Sequence, residues 1–299
     1  LFLLPSPVEP FRFEGRDFHV KRDDLIHPDF SGNKFRKLQT LLDMPPETFS
    51  TLVSHGGVQS NAMLSLAALC RHKGWRFEYL CKSVPSRLKR KPSGNYRRAL
   101  ELGMLPFEAT PPEYPQAVER FRAAAAKRDC CFIPQGGAAP TARAGVERLA
   151  EEIRMWASDA GVKRLNVVTP SGTGTTAACL AAALPEFTVV TTPAVGESGY
   201  LKAQISRLIP LPENLKILVT KTAYRFGTPH PDLLRMYRRL KESGIGFDLL
   251  YAPVMWTALT ENIGDLGGEI LYVHSGGVSG NETMLERYRY RGLISGEGE

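Results

Sequence analysis

The segment Ser31-Gly-Asn-Lys34-Phe-Arg-Lys-Leu38 sets a lysine directly behind a turn and at the start of an apolar-periodic helix. The first turn of a helix carries partial positive charge, which disfavours an ammonium and favours a neutral amine. Lys34 is therefore a candidate nucleophile. Two glycine loops offer further chemistry. Pro170-Ser-Gly-Thr-Gly-Thr-Thr176 follows a β-branched run and opens a helix rich in Ala and Leu. There Gly172 and Gly174 let an anion approach the backbone, and Thr173, Thr175 and Thr176 add hydroxyl donors beside the helix-start N–H groups. The plainer reading is a threonine-capped helix. No Gly-Lys-Ser/Thr follows, which argues against a nucleoside triphosphate, and Ala177 breaks G-x-G-x-x-G. Ser54-His-Gly-Gly-Val-Gln-Ser-Asn-Ala-Met63 repeats the plan with Gln59, Ser60 and Asn61 at a helix start. Such a terminus suits a carboxylate, although Ser60 and Asn61 are also ordinary cap residues.

These loops need elements to hold them. Residues 51–57, 76–82, 130–134, 216–220, 247–253 and 270–277 read as strands, as does the run before Pro170. Residues 60–74, 114–129, 142–161 and 230–244 read as helices, with Gly161 a C-terminal stop. Strands alternating with helices imply an α/β class with parallel sheet. Such sheets bind ligands at the carboxyl ends of their strands. Loops 54–61, 170–176 and 274–280 all carry glycine and hydroxyl residues there, which points to one shared site.

The bulk properties narrow the alternatives. A chain of 299 residues can bury one large core or two moderate ones. No run of about 18 apolar residues exists, so no membrane span is expected. The opening Leu-Phe-Leu-Leu run is broken by Pro5 and Pro7 and lacks a basic flank, so it is not read as a signal peptide, and the expected compartment is the cytoplasm. The five cysteines form no C-x-x-C pair and read as reduced packing residues; no metal spacing emerges. The formal charge of +7 raises nucleic-acid binding. However, the one basic cluster, Arg87 to Lys91 with Arg97 and Arg98, lacks interleaved aromatics, and no nucleic-acid partner is expected.

A nucleophilic lysine, a phosphate loop without a nucleotide signature and a carboxylate-ready helix start together fit pyridoxal phosphate. The lysine would form a Schiff base with the aldehyde, and an amino acid would be the substrate. The stretches KRDDL…SGNKFRKL, SHGGVQSN, TGTT, FGTP, APV and HSGG then run, in order, in a pattern that resembles the 1-aminocyclopropane-1-carboxylate deaminase and D-cysteine desulfhydrase family of fold type II pyridoxal phosphate enzymes. The resemblance implies a tryptophan synthase β-like fold of two open twisted α/β domains with the cofactor in the cleft. A small domain would span 37–132, a large one 1–36 plus 133–299, and the assembly would be a homodimer. It implies that Lys34 carries the cofactor, that Asn61 meets its phenolic oxygen, and that Gly172, Thr173, Gly174, Thr175 and Thr176 hold its phosphate. It further implies that Ser60 contacts substrate or relays a proton, with Gln59 helping the carboxylate site.

Two departures bear on the reaction. The family's Y-G-x-P motif reads Phe226-Gly-Thr-Pro229, leaving Tyr224 as a nearby stand-in among the substrate-facing residues. Its D-P-V-Y-E motif, matched to Ala252-Pro-Val-Met-Trp256, would put Met255 and Trp256 where a tyrosine and a glutamate belong. Without that glutamate, Ser275 is the expected partner of the pyridine nitrogen. A neutral donor there suits α,β-elimination of the D-cysteine desulfhydrase kind, giving pyruvate, ammonia and sulfide. A related enzyme on another small amino acid, such as the cyclopropane substrate, and a cofactor-binding protein with decayed catalysis are the alternatives.

Overall fold

A computed structural model of the chain describes residues 2–137 and 142–295. Ten strands form two sheets. The larger sheet contains β1 (Val8–Phe13), β2 (Arg16–Lys21), β7 (Leu165–Val168), β8 (Thr188–Thr191), β9 (Leu215–Ile217) and β10 (Glu269–Val273) in the order β1-β2-β10-β7-β8-β9. Only β1 and β2 pair antiparallel; the remaining neighbours are parallel. The smaller sheet contains β3 (Thr51–Gly56), β4 (Arg76–Lys82), β5 (Met104–Ala109) and β6 (Cys130–Ile133), all parallel, in the order β5-β4-β3-β6.

The central strands are buried on both faces, as parallel sheets covered by helices require. β7 is buried at all four positions and β3 at five of six. One face of the larger sheet packs Val167, Val189 and Leu271 against Leu149 and Ile153 of the helix Ala142–Asp159 and Leu180 of the helix Thr175–Ala183. The opposite face is aromatic. Trp256 is wholly buried among Phe11, Phe13 and Phe18, with ring centroids 5.1–5.3 Å apart. Burial of each such side chain stabilises the fold by roughly 1.5–3 kcal/mol.

The Lys34 helix, Gly32–Asp43, is anchored from beneath by ions. Arg36, fully buried, bonds Asp23 at 2.8 and 3.0 Å and Glu152 at 2.6 and 2.8 Å. Lys21 reaches the same Glu152 at 2.6 Å, and Ser6 Oγ donates to Asp23 at 2.6 Å. Burial opposes the charge on Arg36, but Asp23 and Glu152 outweigh it and raise the guanidinium above its ordinary range. The acidic residue Asp23 thus stabilises the lysine loop, as its position beside that loop suggests.

One expected strand is absent. Residues 247–251 form a bend, because Asp248 accepts the backbone N–H groups of Leu250, Tyr251 and Ala252 at 2.6–3.2 Å and so caps the helix Ala252–Glu261. No helix among the described residues is long and apolar enough to cross a membrane.

Candidate active site

Lys34 lies in the first turn of its helix with Nζ 3.0 Å from Asn33 Oδ1. Burial lowers the amine to about 8, although the Asp248 carboxylate pulls in the other direction. The turn before it is pressed onto the loop after β10. Asn33 N–H donates to the Ser275 carbonyl at 3.2 Å, and a Cβ on Gly32 (φ +60°) would collide with that carbonyl. Only glycine allows this approach at this backbone angle. Lys34, Asn61, Ser275 and Gly277 consequently line one cavity.

The threonine loop lies at the carboxyl end of β7. Ser171 Oγ and Thr191 Oγ1 are 2.7 Å apart and Thr191 donates to the Thr169 carbonyl, which fixes the loop to β8. Gly174 caps the helix Thr175–Ala183 without a side-chain bond, and Thr173 Oγ1 lies 3.0 Å from Thr175 Oγ1. The N–H groups of that helix start remain available to an anion.

At the third loop, Ser60 Oγ accepts from Ala62 N–H at 3.2 Å and Met63 N–H at 3.3 Å, capping the helix Asn61–Lys73. Gln59 does not face open cleft. Its Nε2 donates to the Ser93 carbonyl at 3.1 Å and its Oε1 accepts from Tyr96 N–H at 3.3 Å. Asn61 is gripped by Asn95, whose Nδ2 donates to Asn61 Oδ1 at 2.7 Å.

Three groups have the character of partners to a cofactor that carries a phosphate. Thr176 Oγ1 and Ser275 Oγ are buried and have no hydrogen-bond partner among the described residues, a costly arrangement unless something fills it. Lys37, one turn beyond Lys34 and 4 % exposed, makes a 3.5 Å approach to the Gly136 carbonyl. Burial first, then the charge of Lys34, lowers it to about 7. An amine paid for so heavily by desolvation fits a phosphate. Sequence reasoning passed over Lys37; its i+3 spacing from Lys34 was the available signal.

The expected roles of Met255 and Trp256 are corrected. Both are wholly buried in the aromatic layer and neither reaches the cleft. The side chain that does is Tyr251. Its ring packs on Phe226 with centroids 5.3 Å apart, and its hydroxyl lies 3.7 Å from where a Cβ on Gly172 would sit. The D-P-V-Y-E motif therefore matches Asp248-Leu249-Leu250-Tyr251-Ala252, four residues earlier. One tyrosine is retained, and Ala252 takes the glutamate's place. Tyr224 sets its ring edge-on to His230, with centroids 4.9 Å apart, and lines the same cavity as Phe226, which is 41 % exposed.

A second signal went unread. Ser-Gly-Asn occurs at 31–33, 93–95 and 279–281, each time at or beside a helix start. Asn33 meets Lys34, Asn95 meets Asn61, and Asn281 holds Phe247 and Leu249 on either side of Asp248, at 2.9 and 2.7 Å.

Comparison with known proteins shows the family. Residues 3–209 match the family described as pyridoxal-phosphate dependent enzyme, and the chain belongs to that family. A Thermotoga maritima protein provisionally named 1-aminocyclopropane-1-carboxylate deaminase is 26 % identical over 94 % of this chain and 96 % of its own length. A D-cysteine desulfhydrase of Klebsiella pneumoniae is 27 % identical over 88 % of this chain and 87 % of its own. The crystal structure of an ACC deaminase homologue superposes with a TM-score of 0.79 over 98 % of this chain and 95 % of that one, at 24 % identity. The fold is that of the fold type II enzymes, and the cofactor is pyridoxal phosphate.

Proposed function

We propose that the chain catalyses α,β-elimination on a small amino acid, as a D-cysteine desulfhydrase does, releasing pyruvate, ammonia and sulfide. The pair Ala252 and Ser275 carries this reading. Alanine stands in the glutamate's place, and the buried, unpartnered Ser275 Oγ is the hydroxyl left for the pyridine nitrogen. A neutral donor favours prompt loss of a β-leaving group over reactions that need a long-lived carbanion.

The cofactor, when bound, supplies the electron sink that makes the substrate's α-proton acidic. Lys34 accepts that proton, because burial holds its amine near neutrality. Lys37 and the donors of Gly172, Thr173, Gly174, Thr175 and Thr176 would hold the cofactor's phosphate. Asn61 would meet its ring oxygen, and the helix start at Ser60 and Asn61 would receive the substrate carboxylate. Gln59 acts on that carboxylate site through the 93–96 turn it bonds. Phe226, with Tyr251 behind it and Tyr224 lining the same cavity, faces the substrate side chain.

Tyr251 favours one second reading. It restores one of the two tyrosines of the deaminase pattern, so the cyclopropane amino acid belongs in the test; Phe226 opposes it, having no hydroxyl to move a proton. The proposal also includes a small domain of 37–132 and a large one of 1–36 plus 133–299, which the two separate sheets support, and a cytoplasmic homodimer. Incubation with D-cysteine, L-cysteine, β-chloroalanine and the cyclopropane substrate, assayed for pyruvate and ketobutyrate, tests the reaction. Pyruvate from D-cysteine is expected. Ketobutyrate alone would establish the second reading, and no product from any of them would leave a cofactor-binding protein without catalysis.

A further inference from the structure

Asn95 is wholly buried at the start of the helix Gly94–Glu101, more than thirty residues along the chain from Asn61. Its amide joins three groups. Nδ2 donates to the Gln59 carbonyl at 3.1 Å and to Asn61 Oδ1 at 2.7 Å, and Oδ1 accepts from Ser279 Oγ at 2.8 Å. A backbone carbonyl only accepts, so the end of Asn95 that faces Gln59 must be its NH2. The second proton of that NH2 points at Asn61, so the atom it meets there must be the oxygen. The NH2 of Asn61 is thereby turned the other way, against Gly277, where a Cβ would collide with it. Gln59 secures the arrangement by bonding both Ser93 and Tyr96, on either side of Asn95.

We propose that Asn95 is a positioning residue that fixes which end of the Asn61 amide faces the cofactor's ring oxygen. The inference rests on the reading above, in which that oxygen meets Asn61. An NH2 there stabilises the ionised oxygen; an amide oxygen would repel it and raise its affinity for a proton. Ser279, in the segment after β10, adds a bond to Asn95 Oδ1 from across the cleft, while the orientation itself is set by the Gln59 carbonyl.

The test uses the full chain loaded with pyridoxal phosphate, and follows the midpoint of the bound cofactor's absorbance change between pH 5 and 10. In Asn95→Asp a carboxylate can donate to neither Gln59 nor Asn61, and the Asn61 amide turns to donate to it. The midpoint is expected to rise by about one unit or more. Ser279→Ala keeps both Asn95 donor bonds and should shift it by less than about 0.3 unit. An unmoved midpoint in Asn95→Asp overturns the proposal. Should that variant not fold, Asn95→Ala is titrated in its place, and an unmoved midpoint there overturns it equally. Melting of the cofactor-free variants is measured alongside. A lower melting temperature with an unchanged midpoint would mean that Asn95 only packs, contrary to the proposal. A parent protein that takes up no cofactor would sink the cofactor reading as well, and so is told apart from failure of the inference alone.

Discussion

Lys37 lies one helical turn beyond Lys34, and the charge of Lys34 adds to burial in lowering it to about 7. Two amines with different tasks thus share one face of one helix. Lys34 must be neutral to attack an aldehyde, and Lys37 must be charged to hold a phosphate.

Their pH dependences have opposite signs. With its amine at about 8, Lys34 loses neutral fraction about tenfold per unit below that pH and gains little above it. Covalent capture of pyridoxal phosphate by the apoprotein should rise to a plateau above pH 8. Lys37 is protonated in the free protein only below about 7, so above that pH binding of an anion requires its amine to take up a proton. Affinity for sulfate, which does not itself titrate here, should therefore fall above pH 7. Calorimetry across pH 6–9 checks it; affinity that increases with pH would remove Lys37 from the anion site.

Lys37→Met should separate stability from binding. Replacing a buried amine by an apolar side chain of similar length should stabilise the cofactor-free protein by about 1–2 kcal/mol. The same change should weaken cofactor affinity at least tenfold, about 1.4 kcal/mol. Denaturant melts and fluorescence titration measure the two. A variant that binds as tightly as the parent contradicts the assignment.

Tyr251→Phe should lower turnover of the cyclopropane substrate by about a hundredfold, since its hydroxyl moves the proton in that second reading, while Tyr224→Phe should stay within about twofold. The ring of Tyr251 is preserved against Phe226, so KM should change little. A larger loss in Tyr224→Phe than in Tyr251→Phe would return the choice between these tyrosines to Tyr224.

Arg36→Met leaves Asp23 and Glu152 without their shared partner and should cost about 3–5 kcal/mol. Glu152 is held below the ordinary carboxylate range, with burial opposing and Arg36 and Lys21 prevailing. Its contribution is therefore present above its unfolded pKa of about 4.3 and is lost as pH falls through the lower folded value. In the variant, acid unfolding should begin at higher pH. Circular dichroism against pH decides; an unchanged acid midpoint would show that the network carries no such stability.

Much of the site was legible because loops after parallel strands announce themselves by glycine and hydroxyl residues. Asn61 and Thr173 to Thr176 are singled out that way, and Lys34 by its place behind a turn at a helix start. The hairpin of β1 and β2 was passed over although Phe11, Phe13, Phe18 and Val20 alternate around a Glu14-Gly15 turn; Pro10 disguised an edge strand, where proline is tolerated. Residues 247–253 misled because an apolar run reads as a strand until an aspartate is seen to cap a helix within it. Separately, matching D-P-V-Y-E to residues 252–256 carried Met255 and Trp256 into the cleft and hid Tyr251. The Ser-Gly-Asn repeat marks Asn95, but its role is not legible in local sequence, since its partners at 59, 61 and 279 meet only in the folded chain.

The most direct test of the account is to reduce the pyridoxal phosphate-loaded protein with borohydride, digest it, and sequence the adduct by fragment-ion mass spectrometry. The pyridoxyl group should be found on Lys34 alone. An adduct on Lys37, or an unmodified 30–38 segment at saturating cofactor, would contradict it.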